Sequence, residues 1–455
     1  MMRLHAPAAR LATGWASNVR LEIATDGTFS AVTPDAPAGD AVVLSGPVVC
    51  GMPNLHSHAF QRAMAGLAEL RGPADDDFWS WRETMYRFLA QLSPEDVEAI
   101  AAQAYVEMIR AGYTRVCEFH YLHNDRNGAP YADPATMAMA HLRAARKAGI
   151  AITLVPVLYT SGGCGGRPLT PGQVRFAISP LQLIRLVAVL DQAVKNEPDW
   201  AVAVGVHSVR AARSEEIAAV AQEFRGRAFH VHVSEQRREV EECIAWCGRT
   251  PVAQLAETAG LNRHWNLVHG THIGTEEIRM VVNAGACITL CPSTEGNLGD
   301  GLFPAGQYQT LGGMFGIGTD SQITIDPREE LRWFEYGRRL SRERRVLSAD
   351  ADIPNAGAWL WQHAAQGGEA ACAAPVGRIA PGARADFLVL DSDAPALYGR
   401  EGDALLDSFV FAAAPGGTIR EVWCGGRKVV SDGRHPAEDD VAHAYRTALS
   451  RLLRR

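Results

Sequence analysis

At 455 residues with 47% hydrophobic content, the chain is long enough to bury one large core and a smaller one beside it. Its 51 acidic residues against 44 basic ones give a net charge of −7, with no basic block, which argues against a nucleic-acid partner. The first residues lack a continuous apolar signal-peptide core and no apolar run is long enough for a bilayer, so no membrane partner and a cytoplasmic address are expected.

Residues 1–46 carry short strand signals separated by turns, among them Asn18–Ile23. Strands and helices then alternate. The predicted strands are Val48–Leu55, Thr114–Phe119, Ile152–Leu158, Val202–Val206, Ala228–Val233, Asn266–His269, Cys287–Cys291 and Phe315–Gly318. Helical patterns at Pro94–Ala111, Pro134–Ala148, Pro180–Asn196, Ser214–Phe224, Gln236–Ala245, Thr275–Ala284 and Pro327–Leu340 separate most of them. The spacing of Phe78, Trp79, Trp81, Tyr86 and Phe88 reads as the packing face of an amphipathic helix. Such alternation implies parallel pairing, and eight units close into a (β/α)8 TIM-like barrel, expected over residues 47–375. Gly/Pro-punctuated alternation returns at Gly377–Asp391 and Val422–Val430. The two ends are therefore expected to combine, 1–46 plus 376–435, into a small β-sandwich domain, leaving 436–455 as a C-terminal helix.

Polar residues gather where these strands end. Side chains two apart in a strand share a face, so His56 and His58 in Asn54-Leu55-His56-Ser57-His58 are placed to grip one cation. His232, His269 and Asp320 close three further strands, and the C-terminal strand ends are where barrels of this type build their active sites. A single buried imidazole is ordinarily a satisfied core group, but four strand ends converging are not. Three imidazoles, a carboxylate and the nearby Glu235 supply what a hydrolytic metal site requires. His230 lies one layer deeper and Glu118 alternates away from Cys117 and Phe119, so both are read as supporting groups. The nine cysteines show no CxxC; even the closer pairs, Cys243/Cys247 and Cys287/Cys291, read as packed thiols rather than zinc ligands.

The set PNLHSHAF, HVHVSE, LVHGTH and GIGTDS, followed by GRIAPGARADFLVLD, resembles the amidohydrolase superfamily over nearly the whole chain. Within it, HAFQRAMAG, FWSWRETMY, CEFHYLH, VHSVRA, CPSTEGNLGDGLFP and ELRWFEYGRRL are similar to the formimidoylglutamate deiminases, which convert N-formimino-L-glutamate and water to N-formyl-L-glutamate and ammonia. The resemblance implies that His56, His58, His232 and Asp320 hold one divalent metal, zinc or ferrous iron. It implies that Asp320 takes a proton from water, His269 stabilises the tetrahedral centre and Glu235 protonates the leaving nitrogen. Gln61, Arg82, Tyr121, His207 and Arg210 match the positions that bind a small dicarboxylate substrate. Binuclear relatives bridge two metals with a lysine at a strand end, whereas Lys147, Lys195 and Lys428 lie elsewhere, which favours a single metal. Relatives are commonly homodimers.

One position departs from the pattern: Gln322 stands where a histidine is expected after Asp320-Ser321, which puts substrate range or rate in question. Glu295 and Asp300 are read as loop-structuring groups without chemistry. The Gly-rich stretch Ser161–Arg167 fits either a lid or a passive loop. Alternatives stay open at this point: a deaminase of a ring amidine such as guanine, cytosine or an adenosine derivative, a hydrolase of another N-formimino acid, or a catalytically dead binding protein. The two arginines discriminate the first, and the filled metal and acid positions discriminate the last.

Overall fold

A computed structural model describes residues 1–70, 77–414 and 416–454; Arg455, the end of the expected C-terminal helix, lies outside them. Among the described residues the chain opens with β1 (Met2–Leu11), β2 (Gly14–Ile23), β3 (Phe29–Thr33), β4 (Val42–Val43) and β5 (Val48–Cys50). It continues with β6 (Met52–Ser57), β7 (Tyr113–His120), β8 (Ala151–Leu158), β9 (Trp200–Val202), β10 (Val204–Val206), β11 (Phe229–Val233), β12 (Trp265–His269), β13 (Cys287–Leu290) and β14 (Met314–Ile317). Three more, β15 (Phe387–Leu390), β16 (Ile419–Cys424) and β17 (Arg427–Ser431), follow.

Strands β6 to β14 form one all-parallel sheet in chain order, with β9 and β10 sharing one barrel position beside β8. Strands β7 and β8 are buried along their whole length, as a sheet covered on both faces requires. The ring closes between β14 and β6 through a parallel bridge of Ser57 with Asp320. There the His58 amide donates to the Asp320 carbonyl and the Asp320 amide to the His56 carbonyl, each at 3.0 Å. Barrel closure and the predicted metal cluster thus share the same backbone.

This seam demands glycine. A Cβ at Gly318 would lie 2.8 Å from both the Cβ and the carbonyl oxygen of His56. Gly318→Ala is expected to cost about 1–3 kcal/mol by forcing β14 from β6. It should also weaken metal retention, which thermal melts with metal analysis would show; an unchanged melt and metal content would contradict the tight seam.

The helices follow their sequence signals closely. Pro94–Ala111 begins at Ser93, whose hydroxyl accepts from the Asp96 amide while the Asp96 carboxylate takes the Ser93 amide at 2.9 Å. Pro94 stands at the first helical position, and Gly112 at φ +108° ends the helix directly before β7.

Two predicted strands are each divided. Val48–Leu55 breaks at Gly51 into β5, which joins the terminal sheet, and β6, which enters the barrel. Val202–Val206 breaks at Ala203. An apolar stretch alone does not mark where a strand changes sheets. The terminal sheet runs β17-β16-β15-β5-β1-β2-β3, mostly antiparallel, and draws on both chain ends as expected. It folds back on itself where the Phe29 amide donates to the Ala383 carbonyl, with Phe29 and Phe387 rings 6.1 Å apart inside. Beneath the barrel, buried Arg384 pairs with Asp199 and Asp386, joining the two sheets. Not all of the C-terminal part is β. Asp403–Phe411 is a helix that packs on Ala356–Gln366, with the Asp407 carboxylate accepting from the Gly357 amide at 2.7 Å.

Candidate active site

At the C-terminal mouth of the barrel the Nε2 atoms of His56, His58 and His232 stand 3.0 to 3.4 Å from one another. The Oδ1 of Asp320 lies 3.3 Å from the Nε2 of both His56 and His58. These contacts are not hydrogen bonds among imidazoles. The Nδ1 of His58 donates to the Phe119 carbonyl and that of His232 to the His207 carbonyl, which leaves lone pairs on the converging nitrogens. Burial holds His56 and His232 below the usual imidazole range and His58 down to about 3, so all three are neutral. Asp320 stays ionised: burial would raise it, but the neighbouring His56, His269 and His58 outweigh that. Donors about 3.3 Å apart are what a tetrahedral ion with bonds of about 2.0–2.1 Å requires. The four residues fit a divalent metal.

His269 stands beside this cluster in a different state. Its Nε2 is 3.7 Å from Glu235 and 3.8 Å from the Oδ2 of Asp320, while its Nδ1 faces Glu295 at 3.3 Å. Burial would lower it, but the three carboxylates prevail and push it up to about 10, an imidazolium. Glu235 is raised above the ordinary carboxylate range chiefly by burial, a condition that favours a proton donor near neutral pH. Ser234, His269, Asp320 and Gln322 all have positive φ, between +44° and +72°, without being glycine. Backbone strain of this kind gathers where function over-determines geometry.

One cavity opens onto these groups, and its wall contains Gln61, Arg82, Tyr121, His207 and Arg210 together with His58, His232, Glu235, His269 and Asp320. Arg82 comes from the helix Phe78–Leu89 and lies 4.4 Å above the Trp79 ring. Arg210, after β10, approaches the same ring at 5.5 Å. The Nε of each arginine is buried without a hydrogen-bond partner, as is the Oε1 of Gln61. Among the described residues Arg82 has no ion pair, and Arg210 has Glu239 alone at 3.7 Å. Unsatisfied buried donors facing a cavity are costly unless a ligand completes them.

Some contributors were not read from the sequence, and others only as supporting or loop groups. Glu295, taken as a loop group, orients His269 and also accepts the Cys291 amide at 2.9 Å. Glu239 holds the Glu235 amide at 3.0 Å while facing Arg210. Arg167 and Arg238 join the cavity wall, as do Ser161 to Gly163 of the Gly-rich stretch. Glu118 accepts the Ser57 hydroxyl at 2.7 Å and the Ala59 amide at 2.8 Å, bracing the residues on either side of His58. His230 donates from Nε2 to the Ala371 carbonyl and accepts at Nδ1 from the Asn266 amide, one layer below the cavity, as expected. Gln322 turns from the cavity: its amide donates to Ser57 and to the Asp320 carbonyl, each at 3.0 Å. Replacing Glu295 with alanine is expected to lower kcat about 10- to 100-fold with little change in KM, because His269 loses a carboxylate that orients its ring and helps hold it as an imidazolium. A matching rise in KM would instead place Glu295 against substrate.

A parallel barrel with a His/His/His/Asp cluster at its C-terminal mouth defines a metal-dependent hydrolase of the barrel class. The chain belongs to the amidohydrolase family, whose model matches residues 48–429. Residues 1–41 match the model described as formimidoylglutamate deiminase HutF, N-terminal domain. Over 455 residues, all of both chains, the sequence is 47% identical to the formimidoylglutamate deiminase of Pseudomonas aeruginosa. The structure is similar to an amidohydrolase from Brucella melitensis, with a TM-score of 0.94 at 42% identity and full coverage of both chains. A 5-methylthioadenosine/S-adenosylhomocysteine deaminase of Natronomonas pharaonis is 27% identical over 85% of this chain and 81% of its own.

Proposed function

We propose that this protein hydrolyses N-formimino-L-glutamate to N-formyl-L-glutamate and ammonia, a step of histidine degradation, with one bound divalent metal, zinc in the first place and ferrous iron as the alternative. The full-length likeness to the Pseudomonas aeruginosa formimidoylglutamate deiminase supports the reaction. The observation that carries it is the meeting of buried Arg210 and half-buried Arg82, each with a buried Nε lacking a hydrogen-bond partner, with the His/Asp cluster in a single cavity. Guanidinium forks match carboxylates, and N-formimino-L-glutamate brings two; a ring amidine brings none.

His56, His58, His232 and Asp320 would hold the metal, which when bound supplies the Lewis acidity that makes water a nucleophile near neutral pH. Arg82 and Arg210, with Gln61, Tyr121 and His207, bind the carboxylates and aim the formimino carbon at the cluster. Asp320 accepts the proton of the attacking water. His269, held as an imidazolium between carboxylates, stabilises charge developing at the tetrahedral carbon. Glu235 delivers a proton to the imino nitrogen, so that ammonia departs rather than an amide anion. The C–N bond to the glutamate nitrogen survives. No helix among the described residues is long and apolar enough to cross a membrane, which suits a cytoplasmic enzyme acting on a free amino-acid derivative.

Proton NMR of the reaction with zinc-loaded protein tests this reading. Formation of N-formyl-L-glutamate with equimolar ammonia is expected. Release of L-glutamate and formamide would mean that the other C–N bond breaks and that Glu235 protonates the wrong nitrogen for a deiminase.

A further inference from the structure

The two oxygens of Asp320 face different partners. Oδ1 turns to His56 and His58, while Oδ2 turns to the Nε2 of His269, 3.8 Å away. Donor atoms of His269, Cys291 and Asp320 all lie within 4.8 Å of one another, and all three residues are buried. We propose that His269, Cys291 and Asp320 form a second, weaker cation site, specific for a thiophilic divalent ion such as zinc or cadmium, whose occupation inhibits the enzyme.

Imidazole, thiolate and carboxylate are a donor set that such ions prefer over magnesium or calcium. The Glu295 carboxylate at the Nδ1 of His269 provides the outer partner that metal-binding imidazoles usually have and keeps the proton on that nitrogen, while an entering ion displaces the Nε2 proton of the imidazolium and the Sγ proton of Cys291. The Oε1 of Glu235, 3.7 Å from that Nε2, stands near as a fourth donor. The cavity reaches this site at His269, Glu235 and Asp320, while Cys291 is fully buried. The 3.8 Å from the Nε2 of His269 to the Oδ2 of Asp320 exceeds the 3.0 to 3.4 Å between the imidazole nitrogens of the first cluster, and two dications sharing one carboxylate repel each other. Both effects make this site the weaker of the two. Inhibition follows because Glu235, His269 and Asp320 are the groups the proposed reaction uses to move protons and stabilise charge.

The inference rests on the first cluster holding the resident ion, and binding is therefore read separately from turnover. Zinc-loaded enzyme is titrated with cadmium while near-ultraviolet thiolate-to-cadmium absorption, bound metal and initial rate are followed. Binding of one further equivalent is expected, with a thiolate band that is missing from Cys291→Ser. That variant should keep kcat within about threefold and need at least tenfold more cadmium for half-inhibition; Cys291→Ala serves the same comparison if the serine variant is unstable. Cadmium that merely replaces the resident ion yields no thiolate band and overturns the proposal. Inhibition of Cys291→Ser at the wild-type concentration overturns it as well.

Discussion

Asp320→Asn lowers kcat by about 10⁴-fold while the three imidazoles still retain metal. The expectation follows from the place of the carboxylate. One oxygen sits 3.3 Å from two converging histidine nitrogens and the other faces His269 across 3.8 Å, so its charge acts on both halves of the catalytic constellation. Neighbouring imidazoles keep it ionised against the cost of burial, ready to accept a proton. An asparagine preserves the shape and the backbone bridge to Ser57 but has no basic oxygen to receive that proton. Loss of general base action is worth up to about 10⁴-fold. Steady-state kinetics beside metal analysis check this, and a loss below about tenfold with metal retained would remove Asp320 from the proton path.

The second large effect is on recognition. Arg210→Ala is expected to lower kcat/KM for N-formimino-L-glutamate about 10²-fold, since a charge-assisted hydrogen bond to carboxylate contributes about 1.5–3 kcal/mol. The loss should fall mainly on KM. Formamidine, which keeps the reacting carbon and lacks both carboxylates, should be turned over as slowly by the variant as by the parent. If the variant loses both activities equally, Arg210 supports the fold of the site through Glu239 instead of reading the substrate.

How much of this was legible in the chain depends on the range of the interaction. His56 and His58 declare themselves because a strand repeats every two residues, and His232, His269 and Asp320 because strand ends of a parallel barrel converge. The structure brings these five together with Glu235. Helix bounds followed local capping chemistry, and Pro94–Ala111 and Thr275–Ala284 have the ends their sequences announce. What the sequence did not announce were contacts between distant segments. Nothing near Glu295 signals that it meets a histidine 26 positions earlier, or that Glu239 touches both Glu235 and Arg210. The dicarboxylate positions came from resemblance, because a lone arginine such as Arg82 is by pattern a surface residue. Gln322 shows the reverse: the departure from the family pattern lies off the cavity wall, bracing Ser57 and the Asp320 backbone. The break at Gly51 was hidden because both halves of Val48–Leu55 are equally apolar and only their partners differ.

The most direct test is a comparison of kcat/KM for ammonia release by metal-loaded protein on N-formimino-L-glutamate, N-formimino-L-aspartate, guanine and cytosine. A preference of at least about 10²-fold for the glutamate compound over each of the others is predicted, the size that charged carboxylate contacts supply. Turnover of a ring substrate alone would leave the metal chemistry standing and contradict the assignment of Arg82 and Arg210 to a dicarboxylate.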